Sequence, residues 1–225
     1  GASLTALAVA IADVARPDWV TSALVFTSLL VVLGVGAACA LATIYVPAFA
    51  PPHKPSGPSA SAFHRFAMCA LALEAYPHLL LSDFESSRGG TTYTVETLRH
   101  VRANHPESEV FLVVGSDSMA GLGAWREWRA IVAAHRIVVV CREGVDYAGL
   151  RDKLPPELAA RLAPLGAHPH DELAENQTIF WAGNAPVTIS STWIRSALPN
   201  VQSLSESLPP AVERYARRHR LYVAP

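Results

Sequence analysis

The chain has 225 residues, 51% of them hydrophobic, with 18 Lys and Arg against 19 Asp and Glu and a formal net charge of -1. That length and apolar share suit one substantial core, or one core with a small appendage, and the near-zero charge gives no electrostatic reason to expect nucleic acid or an anionic membrane as partner. Cys39, Cys69 and Cys141 are odd in number and too widely spaced for a zinc knuckle or a redox pair, which points to a reducing, cytoplasmic setting.

From the N-terminus, no charged residue occurs between Asp18 and Lys54, and most of residues 20–46 are apolar. Such a run is long enough to span a bilayer. Against a span stand Thr21, Ser22, Thr27, Ser28, Gly34, Gly36 and Thr43, the lack of a basic flank, and a competing use of Leu41 to Val46 as a strand. The favoured expectation for residues 1–42 is therefore a buried helix or strand-helix unit, with the membrane span as its alternative. Gly34-Val35-Gly36 is a lone G-x-G, and too few residues follow it before the next strand for a helical crossover.

From Thr43 onward, apolar runs of strand length alternate with helical patterns. Leu41 to Val46, Leu79 to Ser82, Val110 to Gly115, Ile137 to Cys141 and Thr178 to Ala182 are predicted strands, mostly continuous apolar runs of the kind buried between two helical layers. Ser61 to Tyr76, Thr94 to Asn104, Trp125 to His135, and Tyr147 to Leu162 with a break at Pro155-Pro156 read as helices. The alternation implies an α/β fold with a parallel sheet and right-handed crossovers. Ligands of such sheets bind beyond the carboxyl ends of the strands, so the residues that follow each strand are the candidates for chemistry.

After the first of these strands comes a proline-rich loop, Pro47 to Pro55, which holds His53 and Lys54 on a stiff backbone. After the second come Asp83, Glu85 and the turn Gly89-Gly90-Thr91-Thr92-Tyr93-Thr94, where Thr94 is placed to cap the next helix. Gly115-Ser116-Asp117-Ser118 follows the third, with Trp125 and Trp128 beyond it, and Arg142 follows the fourth. After the fifth comes Thr188-Ile189-Ser190-Ser191-Thr192-Trp193-Ile194-Arg195, three hydroxyls and then an arginine one helical turn on. Ser190 or Ser191 is a good N-cap, leaving amides that, with the hydroxyls and the Arg195 fork, suit a phosphate. Each segment has a bland reading as a loop, turn, cap or core residue, but packing does not explain five of them at one sheet edge. His168-Pro169-His170 reads as a solvated linker, and no metal held by protein ligands is expected.

In this order the segments resemble the bacterial nicotinate mononucleotide adenylyltransferases, members of the nucleotidyltransferase superfamily with a Rossmann-like fold. The matching stretches are Y-V-P-A-F-A-P-P-H-K at 45–54, F-H-R-F-A-M at 63–68, T-Y-T-V-E-T-L at 92–98, G-S-D-S at 115–118 with Trp125, V-V-V-C-R-E-G at 138–144, I-S-S-T-W-I-R at 189–195, and L-P-P-A-V-E-R-Y with the closing Leu221-Tyr222. The resemblance implies a nucleotidyltransferase domain over residues 43–225 that transfers the adenylyl group of ATP to nicotinate mononucleotide, with Mg²⁺ carried on the ATP phosphates. By the same likeness, Ile189, Ser190, Ser191, Thr192 and Arg195 meet the phosphates, and Gly115 and Asp117 lie against the ATP nucleoside. Thr92, Tyr93, Thr94 and Trp125 meet the nicotinate ring and its carboxylate, and Lys54 and Arg142 anchor the mononucleotide or the phosphates. Trp128 is expected in the core, and Arg65 is left open between a substrate contact and a structural one. The sequence leaves the oligomeric state open, a homo-oligomer included.

The family normally opens with G-G-[ST]-F-D-P-x-H-x-G-H, whose paired histidines bind the ATP phosphates. This chain has no histidine before His53, and Thr5-Ala6-Leu7-Ala8 stands where the motif is expected. Arg195, Lys54 and His53 are then the catalytic candidates. Three readings follow: an active adenylyltransferase, a nucleotide-binding pseudoenzyme with impaired catalysis, and a membrane-tethered interaction protein resting only on the apolar N-terminal stretch.

Overall fold

The structure, a computed structural model, describes residues 5–12, 42–50, 60–76, 79–141, 145–165, 178–183, 191–200, 204–205 and 207–223. Along them run β1 (Thr5–Ala12), β2 (Ala42–Pro47), α1 (Ala62–Leu73), β3 (Leu79–Leu81), α2 (Phe84–Arg88), α3 (Thr94–Asn104), β4 (Ser108–Gly115) and α4 (Ser116–Ala120). After a 3₁₀ turn at Leu122–Ala124 come α5 (Trp128–Ala134), β5 (Arg136–Val140), α6 (Tyr147–Lys153), α7 (Pro156–Ala159), β6 (Leu162–Pro164), β7 (Ile179–Trp181), α8 (Ser191–Ala197) and α9 (Pro210–Arg218). The fold is α/β and Rossmann-like. The chain divides into two compact units, one of Gly1–Ile11, Ser22–Thr43 and Tyr93–Val187, the other of Ala12–Thr21, Ile44–Thr92 and Thr188–Pro225.

In the first unit the strands lie in the order β1-β4-β5-β7-β6, and every pair in that run is parallel. The register sets Ala10 beside Val113, Gly115 beside Val140 and Val139 beside Trp181, so the strands end together along one edge. Successive strand residues face opposite sides of a sheet. Ile137, Val138, Val139 and Val140 are all buried, so both faces of β5 are covered, as an interior strand of β-branched residues requires.

Five predicted strands are present, each within two residues of its expected ends. The residues that a membrane span would have shared with a strand, 42–46, are strand; the remainder of that span, and Gly34 to Gly36, lie outside the described residues. Residues 5–12, for which no element was expected beyond a strand-helix unit, form β1 beside β4. Among the described residues no helix is long and apolar enough to cross a membrane.

The second unit builds its core from α1, α8, α9 and the turns around them. Met68 and Ala72 of α1 pack with Ile194, Ala197 and Leu198, with Leu204 and Leu208, and with Val212 and Ala216 of α9. On α1 the buried positions Ala62, Arg65, Met68, Cys69, Ala72 and Leu73 recur every three or four residues, the stripe of one helix face. β2 and β3 are joined where the Ser82 amide donates to the Tyr45 carbonyl, 2.8 Å.

Candidate functional site

The glycine turn and the helix that follows it depend on backbone geometry. Gly89 and Gly90 have φ of +68° and +71°, the left-handed region that costs an L side chain about 1–2 kcal/mol. They lead into Thr92, which is buried and whose Oγ1 has no hydrogen-bond partner among the described residues. Thr94 does not cap α3 as expected. It is the first helical residue, and Tyr93 holds the cap position with extended backbone. The capping work is done from inside the helix, where the Glu96 carboxylate accepts from the Tyr93 amide at 2.9 Å, the reaching-back half of a capping box. Tyr93 is thereby fixed at the helix mouth, half-buried, with the Arg126 guanidinium 4.8 Å from its ring centre.

Trp125 also departs from expectation, for it precedes α5 rather than lying on it. Its amide donates to the Leu122 carbonyl at 2.9 Å to close the 3₁₀ turn. Glu127 then takes φ +52°, which interrupts the helical path, and α5 starts at Trp128. The Glu127 carboxylate is held from α3 by Arg99, Nη2 to Oε2 2.5 Å, which fits a left-handed residue kept in place by its side chain. Trp125 is therefore presented by a turn, half-buried. Trp128, expected in the core, is only partly buried, and the Arg129 guanidinium lies 4.3 Å from the centre of its ring system.

At the end of β4, Gly115 passes the chain into α4 with extended backbone. Ser116 is fully buried, whereas Asp117 is exposed, its Oδ1 accepting from the Ser118 amide at 2.9 Å. Gly115 and Asp117 thus stand at the strand-terminal edge where a nucleotide is expected.

In the second unit, α8 begins at Ser191 as the hydroxyl run predicts. It has only seven residues, too short for a large helix dipole. Arg195 lies one turn on, half-buried, and its Nη2 donates to Thr192 Oγ1 at 3.3 Å. Arg65 proves structural: it is 1% exposed and its Nη1 and Nη2 donate to the carbonyls of Ala48 and Phe49 at 2.5 and 2.7 Å, with Nε 3.3 Å from the Ala60 carbonyl. It fastens the chain leaving β2, at the start of the proline-rich loop. Two neighbours are held protonated. Burial pushes the Cys69 thiol up to about 12, although Arg65 pulls it down, and burial likewise raises the Tyr45 phenol, with Cys69 adding to the shift.

His53, Lys54, Arg142, Ile189, Ser190, the Ser191 side chain and His168 to His170 lie outside the described residues. Among the described residues no group of three His, Cys, Asp or Glu side chains is arranged to hold a metal. One contact beside the candidate residues went unrecognised in the sequence, Arg126 over the Tyr93 ring. Its signal was its position directly after Trp125.

A parallel sheet whose strand β4 passes through Gly115 directly into a helix at Ser116 places the chain in the class of α/β proteins with a Rossmann-like fold. The family model described as Cytidylyltransferase-like matches residues 37–197. A probable nicotinate-nucleotide adenylyltransferase of Citrifermentans bemidjiense is 33% identical over 180 residues, 80% of this chain and 83% of that one. One from Pseudoalteromonas atlantica is 34% identical over 177 residues, 79% of each. Among solved structures, nicotinic acid mononucleotide adenylyltransferase of Plasmodium falciparum, complexed with NaAD, superimposes with a TM-score of 0.65 over 97% of both chains at 15% identity, a likeness of fold. The chain belongs to the nicotinate-nucleotide adenylyltransferase family of cytidylyltransferase-like nucleotidyltransferases.

Proposed function

We propose that this protein transfers the adenylyl group of ATP to nicotinate mononucleotide, giving nicotinate adenine dinucleotide and pyrophosphate in NAD biosynthesis. The observation that carries the proposal is one-third identity, held over four fifths of the chain, with relatives named for that activity. The mononucleotide's phosphate oxygen attacks the α-phosphorus, and the bond to the bridging oxygen breaks with its electron pair leaving on pyrophosphate. Catalysis of such a transfer is mainly positioning and neutralisation of charge.

Thr192 and Arg195, with Ile189, Ser190 and Ser191, bind the ATP phosphates, and Gly115 and Asp117 meet the nucleoside. Tyr93, Thr94 and Trp125 receive the nicotinate ring, since an electron-poor ring stacks well on indole or phenol. The unpartnered Thr92 hydroxyl is a donor for its carboxylate. Lys54 and Arg142 anchor phosphate, and Arg195, Lys54 and His53 supply the positive charge that the family's paired histidines otherwise give. Mg²⁺, entering on the ATP phosphates, would shield their charge. A reaction on water-soluble nucleotides supports a cytoplasmic setting.

The absence of a histidine before His53 favours one second reading, a nucleotide-binding protein with impaired turnover. Incubation with ATP, nicotinate mononucleotide and Mg²⁺, with the products separated chromatographically, decides between them. Nicotinate adenine dinucleotide formed in step with pyrophosphate supports the transferase; saturable ATP binding without either product supports the second reading.

A further inference from the structure

Tyr93 and Trp125, the two aromatic residues assigned to the nicotinate ring, sit on different stretches of chain, one at the mouth of α3 and the other on the turn before α5. Contacts of both with one flat ring need a fixed separation, because dispersion contacts weaken within a fraction of an ångström. The two backbones are not bonded to each other among the described residues. The Trp125 amide is used on the Leu122 carbonyl and the Tyr93 amide on the Glu96 carboxylate, each at 2.9 Å and each within its own segment.

What crosses between them is side chain. From α3, beyond Tyr93, the Arg99 guanidinium reaches Glu127, the second residue after Trp125, with Nη2 to Oε2 2.5 Å and Nη1 to Oε1 3.5 Å. One planar fork thus engages both carboxylate oxygens, an arrangement that fixes direction as well as distance. From the turn, Arg126 lays its guanidinium 4.8 Å from the centre of the Tyr93 ring, its Nε 3.9 Å from the Glu127 carboxylate. The two residues that directly follow Trp125 therefore both touch the segment that carries Tyr93. The Arg99 and Glu127 side chains are 58% and 42% exposed, and exposed pairs contribute little to overall stability. Their placement has a use apart from stability.

We propose that Arg99 is a positioning residue for the mononucleotide: through Glu127 it holds the Trp125 turn at a fixed distance from Tyr93, so that the pyridine ring meets a slot already formed. The assignment rests on the reading of Tyr93 and Trp125 as the nicotinate contacts. A turn ordered beforehand spares the substrate the cost of immobilising it. The effect therefore falls on affinity for the mononucleotide and leaves the chemistry at the ATP phosphates alone.

Steady-state kinetics of the full chain, followed by pyrophosphate release, test the assignment, with melting temperature as a check on folding. Arg99→Met is expected to raise KM for nicotinate mononucleotide roughly three- to fivefold while kcat, KM for ATP and melting temperature stay unchanged. The exchange of Arg99→Glu with Glu127→Arg should recover most of the wild-type KM, whereas Arg99→Glu alone, which sets two carboxylates face to face, should raise it further. An unchanged KM in Arg99→Met would overturn the assignment, as would an equal rise in KM for both substrates or an exchange no better than Arg99→Glu alone. Should Arg99→Met misfold, Glu127→Gln removes the same pair from the other side and carries the same expectations. A wild-type chain that makes no product removes the transferase reading and moves the test to calorimetric titration with nicotinate mononucleotide. There, roughly three- to fivefold weaker binding by Arg99→Met supports the assignment, and equal binding, or none by either protein, overturns it.

Discussion

Replacement of Arg65 by methionine removes a buried cation while keeping most of its apolar stem. Two short charge-assisted bonds, 2.5 and 2.7 Å to the Ala48 and Phe49 carbonyls, are lost together with a weaker one to Ala60 at 3.3 Å. Hydrogen bonds to charged groups contribute about 1.5–3 kcal/mol each, so the two short bonds represent about 3–6 kcal/mol. Relief from burying the charge offsets part of this, and Ala48 and Phe49, being only half-buried, regain some water. The net expectation is a loss of about 2–4 kcal/mol, which for a chain of this size lowers the melting temperature by roughly 5–15 °C. Arg65→Lys should fall in between, since one ammonium lacks the fork that meets two carbonyls at once. Urea unfolding, read as a shift in midpoint at constant slope, measures the change. A loss for Arg65→Met below about 1 kcal/mol would refute the account of Arg65 as the clasp of the segment after β2.

Arg195→Ala should cut product formation by about a hundredfold or more by removing charge stabilisation at the phosphates, with circular dichroism unchanged; activity within threefold of wild type would contradict that role. Gly90→Ala should cost about 1–2 kcal/mol from its φ of +71° alone, because nothing lies within 4 Å of the added methyl; thermal unfolding checks it. For His135, burial holds the imidazole below its ordinary value, with an opposing hydrogen bond to the Val110 carbonyl. The unfolded chain then binds the proton more readily, so this contribution is intact above the unfolded value near 6.5 and is lost as pH falls below it. A stability-pH profile of His135→Gln should lose that part of the acid slope, and an unchanged profile would count against it.

Long β-branched runs made most of the sheet legible: Ile137 to Val140 is apolar on both faces because both faces are covered. Short or weakly apolar elements were not. Leu162–Pro164 has three residues and ends in proline, and Phe84–Arg88 and Ser116–Ala120 have five each, below the length at which helical periodicity shows. The start of α5 was displaced because Glu127 takes φ +52°, a backbone turn with no local signature in the sequence. At the candidate site, the hydroxyl-arginine helix start and the T-Y-T turn could be read from residue order. The burial of Arg65 was also readable, since it falls on the stripe with Ala62, Met68 and Ala72. The hook at Arg220 to Tyr222 was not, because it depends on two left-handed residues that bring the chain back on itself.

The central claim is adenylyl transfer by a chain without the paired histidines, and the most direct test is the initial rate of pyrophosphate release with ATP, Mg²⁺ and nicotinate mononucleotide. The account predicts release that saturates in both nucleotides, requires both, and collapses in Arg195→Ala. Release no faster than in the absence of protein, from a chain that is folded and binds ATP, would contradict it.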